Sequence, residues 1–256
     1  MKPVIAIDGH VCSGKGTMAR LLAQHFNLAH LDSGIFYRMF ACLRLAIDSD
    51  FFSAGCNKKN LEKIENISNC LSFIGRDQEN SETDRSSGDN FLIELLNETS
   101  VHDLLKAKKN IPDEVLRSDV IGAEASVVGK MPEVRNILTK FIREFVASVG
   151  DEYNGSVVDG RDIGTVVFPE AKCKIFMTAD PMIRAQRRLN DLGHGATLEE
   201  VYSNLITRDE RDFSRDVAPL TFDENYIFID TTKETVEESF KRLEGVVKDS
   251  LCLIYP

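Results

Sequence analysis

Three glycines, a lysine and a threonine lie close together in residues 9 to 17, GHVCSGKGT, with a spacing that suits the binding of phosphate groups. Gly9 and Gly14 are five residues apart and Lys15 follows, which satisfies the pattern G-x-x-x-x-G-K. In that pattern backbone N–H groups curl around a polyphosphate, and the lysine brings a positive charge to it. The hydroxyl group that often follows the lysine directly comes one residue later here, at Thr17. The predicted phosphate contacts are Gly9, His10, Val11, Cys12, Ser13, Gly14, Lys15, Gly16 and Thr17.

The residues on both sides of this loop favour a phosphate site over a loop that is rich in glycine for turn reasons alone. Residues 4 to 7, VIAI, form a continuous apolar run typical of a buried parallel strand. After the loop, Met18, Leu22 and Phe26 recur at helical spacing up to Asn27. This order of strand, turn and helix points free N–H groups and the positive end of the helix dipole at the phosphates.

A second predicted strand ends in polar residues within the stretch 28 to 38, LAHLDSGIFYR. The strand ends at Asp32 and Ser33, and a helix carrying Arg38 follows. Ligands bind beyond the carboxyl ends of strands in an open α/β sheet, so Arg38 is a candidate phosphate ligand. From this stretch alone, a solvated helix arginine is an equal alternative.

A third predicted strand presents charges at its end, in the stretch 155 to 169, GSVVDGRDIGTVVFP. The strand ends at Asp159, and Arg161 and Asp162 follow after one glycine. These charges are expected at the same edge of the sheet as the phosphate loop.

The densest positive charge of the chain lies between residues 184 and 215. It comprises Arg184, Arg187, Arg188, Arg208, Arg211 and Arg215, interleaved with Asp209, Asp212 and Asp216. The glycines of LGHGA, residues 192 to 196, would let two helices hinge apart, so residues 190 to 215 are predicted to close as a lid over a polyphosphate. The alternative is an exposed helix whose arginines and aspartates pair on the surface.

Composition excludes several classes of protein. The chain has 256 residues, 43% of them hydrophobic, and a formal charge of −10, which argues against non-specific binding to nucleic acid. No apolar run approaches the roughly 18 to 20 residues of a membrane span, and no export signal opens the chain. The six cysteines form no C-x-x-C pair, which disfavours a disulfide framework or a zinc site. We therefore expect a cytoplasmic protein that binds neither nucleic acid nor membranes.

Strands alternating with helices predict an α/β fold with a parallel, doubly wound sheet. Residues 45 to 111 differ in character and are interpreted as an inserted subdomain, with a mobile loop at 76 to 90, where no large apolar residue occurs. The predicted core comprises residues 1 to 44, 112 to 189 and 216 to 256.

Taken together, these motifs resemble a known family. The segments CSGKGT, LDSGIFYR, DGRDIGTVVFP, RAQRR and RDERDFSRDVAPL, in this order and spacing, closely resemble the bacterial cytidylate kinases, which phosphorylate CMP and dCMP. The resemblance covers nearly the whole chain. It implies a P-loop NTPase-type parallel sheet flanked by helices, with an inserted NMP-binding domain and a short lid.

The resemblance also implies roles for single residues. Lys15 and the loop amides would hold the phosphates of ATP, and Arg187 and Arg211 would close on them. The implied CMP contacts are Ser33, Arg38, Ser126, Arg135, Arg161, Asp162, Arg208, Asp212 and Arg215. Within that set, Arg38, Arg161 and Arg215 would grip the phosphate, Arg208 and Asp212 the sugar, and Ser126, Arg135 and Asp162 the cytosine.

The implied catalytic set is Lys15, Arg161, Arg187 and Arg211. Mg²⁺ is expected with ATP, near Thr17 or its waters, and no protein carboxylate is assigned as a direct metal ligand. The implied protein is a monomer of pyrimidine nucleotide metabolism whose partners are ATP and CMP or dCMP.

Two alternatives and one departure accompany this hypothesis. The chain could phosphorylate UMP or AMP, or it could be a nucleotide-sensing module that binds ATP without transfer; the arginine set disfavours the second. The loop departs from the usual family sequence at His10, Val11 and Cys12. Cys12 lies near Lys15 and a helix N-terminus, which could lower the pKa of its thiol, but a small residue that fills the loop is the favoured interpretation.

Overall fold

The structure, a computed structural model, describes residues 2 to 47, 93, 105, 108, 109, 111 to 192 and 195 to 252. The predicted inserted segment, residues 45 to 111 with its loop at 76 to 90, lies almost entirely outside the described residues. Also outside the described residues are Gly193, one of the two glycines expected to let the lid hinge, and His194.

Five parallel strands form a single sheet in the order β2-β3-β1-β4-β5. They are β1 (Val4–Gly9), β2 (Ala29–Asp32), β3 (Ser156–Asp159), β4 (Cys173–Thr178) and β5 (Tyr226–Asp230). Ile7 of β1 pairs with Asp159 of β3, and Asp159 pairs with Asp32 of β2. This register brings the carboxyl ends of the strands to one edge, and the predicted parallel α/β sheet is confirmed.

Eight α-helices lie in the described parts of the chain. They are α1 (Lys15–Phe26), α2 (Gly34–Ile47), α3 (Asp113–Leu116), α4 (Asp119–Val128), α5 (Pro132–Ala147), α6 (Pro181–Leu192), α7 (Leu198–Ser214) and α8 (Val236–Cys252). A π-helical turn (Ile163–Val167) follows β3. None of the described helices is long and apolar enough to cross a membrane.

The central strand β1 is buried because its side chains are apolar on both faces, as expected of a strand covered by helices. Ile5 and Ile7 of β1 join a core that contains Leu22 of α1 and Leu243 and Val247 of α8. The core thereby fixes the end of β1 against α1, and so positions the loop that joins them.

The chain forms two compact units. The first comprises Met1–Ser33 and Phe145–Pro256, and it contains all five strands. The second is Gly34–Glu144, in which α2 packs against α4. The domain boundaries derived from the sequence, including the lid at residues 190 to 215, stay a prediction.

Candidate active site

The loop predicted to bind phosphate lies between β1 and α1, so the expected strand, loop and helix are present. Gly9 has a φ of 146°, and a Cβ there would lie 2.0 Å from the backbone oxygen of Met177. Only glycine fits this position. Gly14 precedes α1 in the left-handed conformation, and no side chain caps the helix. The first N–H groups of α1 are therefore left to bind an anion.

Lys15 is the first residue of α1 and lies across this loop. Its Nζ donates a hydrogen bond to the carbonyl oxygen of His10 at 3.0 Å. The pKa of Lys15 is lowered to about 7, first because burial disfavours the ammonium and then because Arg161 is near, while Asp159 and Asp32 oppose this shift. A polyanion in the loop would supply negative charge and favour the ammonium form.

His10 and Cys12, the departures from the usual loop sequence, are packed and not activated. His10 Nδ1 lies 2.9 Å from the hydroxyl oxygen of Thr178, and burial lowers the pKa of His10 to about 4, so its ring is neutral at pH 7. Burial raises the pKa of the Cys12 thiol, and this outweighs the nearby positive charges. Cys12 is therefore not an activated thiol, which is consistent with a small residue that fills the loop.

Arg184 of α6 is buried and supports the phosphate loop; its guanidinium is used in contacts within the protein. Its side chain is only 3% exposed, and Nη1 forms a buried ion pair with Asp209 of α7. Nε donates to the carbonyl oxygen of Ala179 at 2.8 Å, and Nη1 donates to that of Val11 in the loop at 3.3 Å. Arg184 therefore ties α6, α7 and the phosphate loop together.

Helix α7 places its charged residues at the end of β3. Arg161 Nε donates to Asp212 Oδ2 at 2.8 Å. Burial raises the pKa of Asp212, but the charges of Arg161, Arg208 and Arg215 outweigh it, so the net pKa is lowered and the carboxylate is ionised. Arg215 Nη2 lies 3.7 Å from Asp162 Oδ1. Five of the predicted site residues thus form one charged cluster at this edge.

The two arginines predicted to close on ATP differ in their contacts. Arg187 of α6 donates from Nη1 to the hydroxyl oxygen of Thr231 at 3.0 Å and from Nη2 to its carbonyl oxygen at 2.7 Å. The Thr231 hydroxyl in turn donates to the carbonyl oxygen of Ser13 in the loop. Within the described part of the chain, Arg211 of α7 forms no hydrogen bond or ion pair. The hydrogen bonds to Thr231 thus fix Arg187 beside the loop, while the Arg211 guanidinium is available to a ligand.

The ends of β2 and β3 carry two carboxylates and a buried serine. Asp159 Oδ1 lies 2.8 Å from His30 Nε2, and the Ser33 hydroxyl donates to the carbonyl oxygen of Asp159 at 2.8 Å. Asp159 Oδ2 lies 3.6 Å from the point where a Cβ of Gly16 would be, so it faces the first turn of α1. Burial raises the pKa of Asp159, and the neighbouring charge of Asp32 adds to this shift.

The predicted CMP residues Arg38, Ser126 and Arg135 belong to the second unit. Arg38 Nη1 donates to the carbonyl oxygen of Leu116 at 2.6 Å. Ser126 on α4 and Arg135 on α5 are both buried, and the Arg135 guanidinium lies 5.7 Å from the centre of the Tyr37 ring. Contacts within the second unit fix the positions of these side chains, so their polar groups are already ordered without a ligand.

Sequence reasoning missed two buried groups, Asp8 and the Arg184–Asp209 pair. Asp8 accepts hydrogen bonds from the backbone N–H groups of Ile163 and Gly164, both at 2.8 Å, although these residues are more than 150 positions away in the chain. A charged residue at the end of the apolar run VIAID was the available signal for Asp8. No sequence signal distinguishes Arg184 from the arginines beside it.

Comparison with known proteins adds independent information. A family model described as cytidylate kinase matches residues 5–248. The protein named "Cytidylate kinase" from Granulibacter bethesdensis is 36% identical over 97% of this chain and 98% of its own length. Its namesake from Thermosipho melanesiensis is 36% identical over 96% of each chain, and that from Bradyrhizobium sp. is 34% identical over 96% of this chain and 95% of its own.

Proposed function

The chain belongs to the cytidylate kinase family, and from that membership and the site we infer that it transfers a phosphoryl group from ATP to the phosphate of CMP. The observation that carries the proposal is the pairing, in one compact unit, of an uncapped glycine-rich loop with a cluster of arginines on and beside α7. The loop suits a polyphosphate donor, and the cluster suits a second anion.

We assign the donor side of the site to residues 9 to 17. The uncapped amides of α1 and the ammonium of Lys15 would bind the β- and γ-phosphates of ATP, since both supply positive charge at one point. Arg187, held by Thr231 beside the loop, and Arg211, which has no hydrogen-bond or ion-pair partner among the described residues, would neutralise charge that develops as the γ-phosphoryl group moves.

We assign the acceptor side to the cluster around α7 and the end of β3. Arg161 and Arg215 would bind the CMP phosphate, because arginine matches its oxygens in a forked geometry. Arg208 and Asp212 would hold the sugar. Arg208 Nε is buried without a hydrogen-bond partner among the described residues, so a ligand oxygen would satisfy a donor that is otherwise left unpaired.

Cytosine recognition is assigned to Asp162 together with Ser126 and Arg135, and Arg38 and Ser33 would complete the CMP contacts. This assignment follows the family resemblance residue by residue. It is supported by the burial of Ser33, Ser126, Arg135 and Asp162, because buried polar groups make specific hydrogen bonds. The same contacts would accept dCMP, which differs only at the sugar.

The chemistry needs no general base, because the acceptor is already an anion. Catalysis then consists of holding two polyanions in line and neutralising the charge of the transition state. The cations available for this are Lys15, Arg161, Arg187 and Arg211. Closure of the predicted lid, residues 190 to 215, would exclude water and so protect the phosphoryl group from hydrolysis.

Mg²⁺ fits this site as an ion that arrives with ATP. Among the described residues, no group of three or more His, Cys, Asp or Glu side chains could hold a metal. Mg²⁺ commonly binds through substrate phosphates and waters with few protein ligands. The hydroxyl of Thr17, in the first turn of α1, would hold it, and Asp159 Oδ2 faces the same turn. When bound, Mg²⁺ neutralises phosphate charge.

Acceptor choice separates this proposal from its alternatives. A coupled assay of ADP release should be run with CMP, dCMP, UMP, AMP and GMP at equal concentrations. We expect release with CMP and dCMP to exceed that with the other three by at least tenfold. Faster ADP release with UMP or AMP would show that this nucleotide, and not CMP, is the acceptor. ATP binding without ADP release in the presence of any of the five nucleotides would indicate a sensing module.

The net charge of −10 supports a protein that acts on free nucleotides and not on nucleic acid. The monomeric state and the cytoplasmic location stay predictions, which sedimentation and cell fractionation would test.

A further inference from the structure

Asp8 of β1 holds the backbone that directly follows Asp162. Its Oδ1 accepts the N–H of Ile163 at 2.8 Å, and its Oδ2 accepts the N–H of Gly164 and the hydroxyl of Tyr226, each at 2.8 Å. The two amides open the π-helical turn, where the turn itself offers them no acceptor. Asp162 does not cap this turn with its own side chain. Asp8 therefore caps the turn from a strand that is distant in the sequence.

Packing fixes the same turn from the other side. A Cβ at Gly164 would lie 2.5 Å from the hydroxyl oxygen of Tyr226 and 3.1 Å from Cδ of Lys174. A side chain at position 164 would therefore not fit between the turn and these residues of β4 and β5. Asp8 is 0% exposed, so no water can replace its contacts without rearrangement. The three hydrogen bonds and the close packing hold the turn against β1, β4 and β5.

We propose that Asp8 is a positioning residue for CMP, which sets the place of Arg161 and Asp162 by holding the two amides that follow them. The inference rests on the proposed assignment of Arg161 and Asp162 to CMP. The phosphate loop begins at Gly9, the next residue, but it is fixed by other contacts: the backbone packing at Met177 and the Arg184 hydrogen bond to Val11. Loss of the Asp8 carboxylate should therefore affect CMP far more than ATP.

The role requires Asp8 to be ionised. The pKa of Asp8 is raised to about 6, chiefly by burial and then by the charge of Asp162, while the hydrogen bonds from Gly164, Ile163 and Tyr226 oppose the shift. Lys174 of β4, whose Nζ lies 5.9 Å from the centre of the Tyr226 ring, is the one cationic residue on β3 and β4, the two strands that flank β1. Above about pH 6 the carboxylate accepts all three donors. Below it, a proton on Asp8 would face an N–H or O–H donor.

Asp8→Asn tests the position of the turn. An amide has one acceptor oxygen and one NH₂ group, so in either orientation its NH₂ faces the N–H of Ile163 or of Gly164. We expect KM for CMP to rise by about tenfold or more, the size of one unsatisfied buried donor, and KM for ATP to change by less than about twofold. Glu237→Gln, an exposed carboxylate on α8, is the matched control and should change neither value.

Tyr226→Phe tests the same contact without removing the carboxylate. The Tyr226 hydroxyl lowers the pKa of Asp8, so its loss should raise that pKa above about 6. We expect the KM of Tyr226→Phe for CMP to be near that of wild type at pH 8.5 and to be about threefold or more above that of wild type at pH 6.5. A phosphate monoester itself titrates near pH 6. The readout is therefore the ratio of variant to wild type at each pH, in which the titration of CMP cancels.

The outcomes separate this inference from the proposed function. If wild type does not phosphorylate CMP, the proposed function fails before either variant is measured. If wild type is active, folded Asp8→Asn with an unchanged KM for CMP, or with equal increases for CMP and ATP, overturns the positioning role. Should Asp8→Asn fail to fold, Tyr226→Phe decides: a ratio to wild type that is the same at pH 6.5 and pH 8.5 overturns it.

Discussion

Arg184 on α6 and Asp209 on α7 form an ion pair whose two side chains are only 3% and 9% exposed. The same guanidinium donates to the carbonyl oxygen of Val11 in the phosphate loop. The helix that carries the acceptor-side cluster and the loop that binds the donor thus share one buried arginine.

We expect Arg184→Leu to lower the free energy of unfolding by about 3 to 5 kcal/mol, because it leaves the Asp209 carboxylate buried without its partner. KM for ATP should also rise, since the loop loses the contact at Val11. Chemical denaturation and steady-state kinetics measure the two effects.

A double variant and a surface pair provide the controls for this prediction. Arg184→Leu combined with Asp209→Leu removes both charges and should recover part of the lost stability, a coupling that a double-mutant cycle reports. Arg242→Leu breaks a surface pair with the partly buried Glu234 and should cost less than about 1 kcal/mol. Equal losses for Arg184→Leu and Arg242→Leu would contradict the buried pair.

Lys15 should take up a proton when a polyphosphate binds. Its pKa of about 7 in the free protein leaves it mostly neutral at pH 8, and bound phosphates would raise that pKa. Calorimetry at pH 8 with a non-hydrolysable ATP analogue, in buffers of different ionisation enthalpy, should show net proton uptake that Lys15→Ala loses. Uptake that persists in the variant would assign the proton to another group.

Lys15→Ala should also lose activity while keeping its fold. Removing a preorganised charge from a phosphoryl-transfer site costs about 3 to 4 kcal/mol, or two to three orders of magnitude in kcat. Lys172→Ala, at an exposed position on the approach to β4, is the matched control and should retain wild-type turnover. Near-normal turnover in Lys15→Ala would remove this lysine from the catalytic set.

Asp162→Asn should narrow the preference for CMP over UMP. Cytosine presents an amine donor beside a ring acceptor, and uracil presents an acceptor beside a donor. An ionised carboxylate can only accept, whereas an amide can turn a donor toward the uracil oxygen. We expect the ratio of kcat/KM for CMP to that for UMP to fall at least tenfold, since each mismatched buried contact costs roughly 1 to 3 kcal/mol.

The control for this prediction is Asp216→Asn, at an exposed position beside Arg215, which should leave the ratio unchanged. If Asp162→Asn is active with an unchanged ratio, its role is limited to supporting Arg215, to which it is already close at 3.7 Å.

His10 should make the protein sensitive to acid. Its pKa is about 4 in the folded protein and about 6.5 in the unfolded chain, so between these values the unfolded state binds more protons. Its contribution to stability therefore falls as the pH drops from 6.5 toward 4. His10→Gln should flatten the fall in the midpoint of thermal unfolding over this range relative to wild type; parallel curves would contradict the neutral, buried ring.

The sequence predicted the features of the fold and the site that depend on neighbours in the chain. The strand before the loop, the loop itself and the helix that begins near Lys15 follow from the local apolar pattern and the glycine spacing, and the parallel sheet follows from alternating strands and helices. The charges at the ends of β2 and β3 followed from the same rule.

The features that the sequence did not predict depend on contacts between residues that are distant in the chain. Arg184 and Arg187 are three positions apart on one helix, yet the first is buried in an ion pair and the second lies at the loop beside Thr231. Residue type cannot distinguish these two arginines, because Arg184 is buried by its contact with α7. Asp8 was missed for the same reason, since its partners belong to a turn that only the assembled sheet brings near.

The identity of the products tests transfer of the phosphoryl group to CMP. Phosphorus NMR of the protein with ATP, Mg²⁺ and CMP should show ADP and CDP forming in equal amounts, with no free inorganic phosphate in excess of a control without protein. Loss of ATP to inorganic phosphate without CDP, or formation of a nucleoside diphosphate only when UMP or AMP replaces CMP, would contradict transfer to CMP.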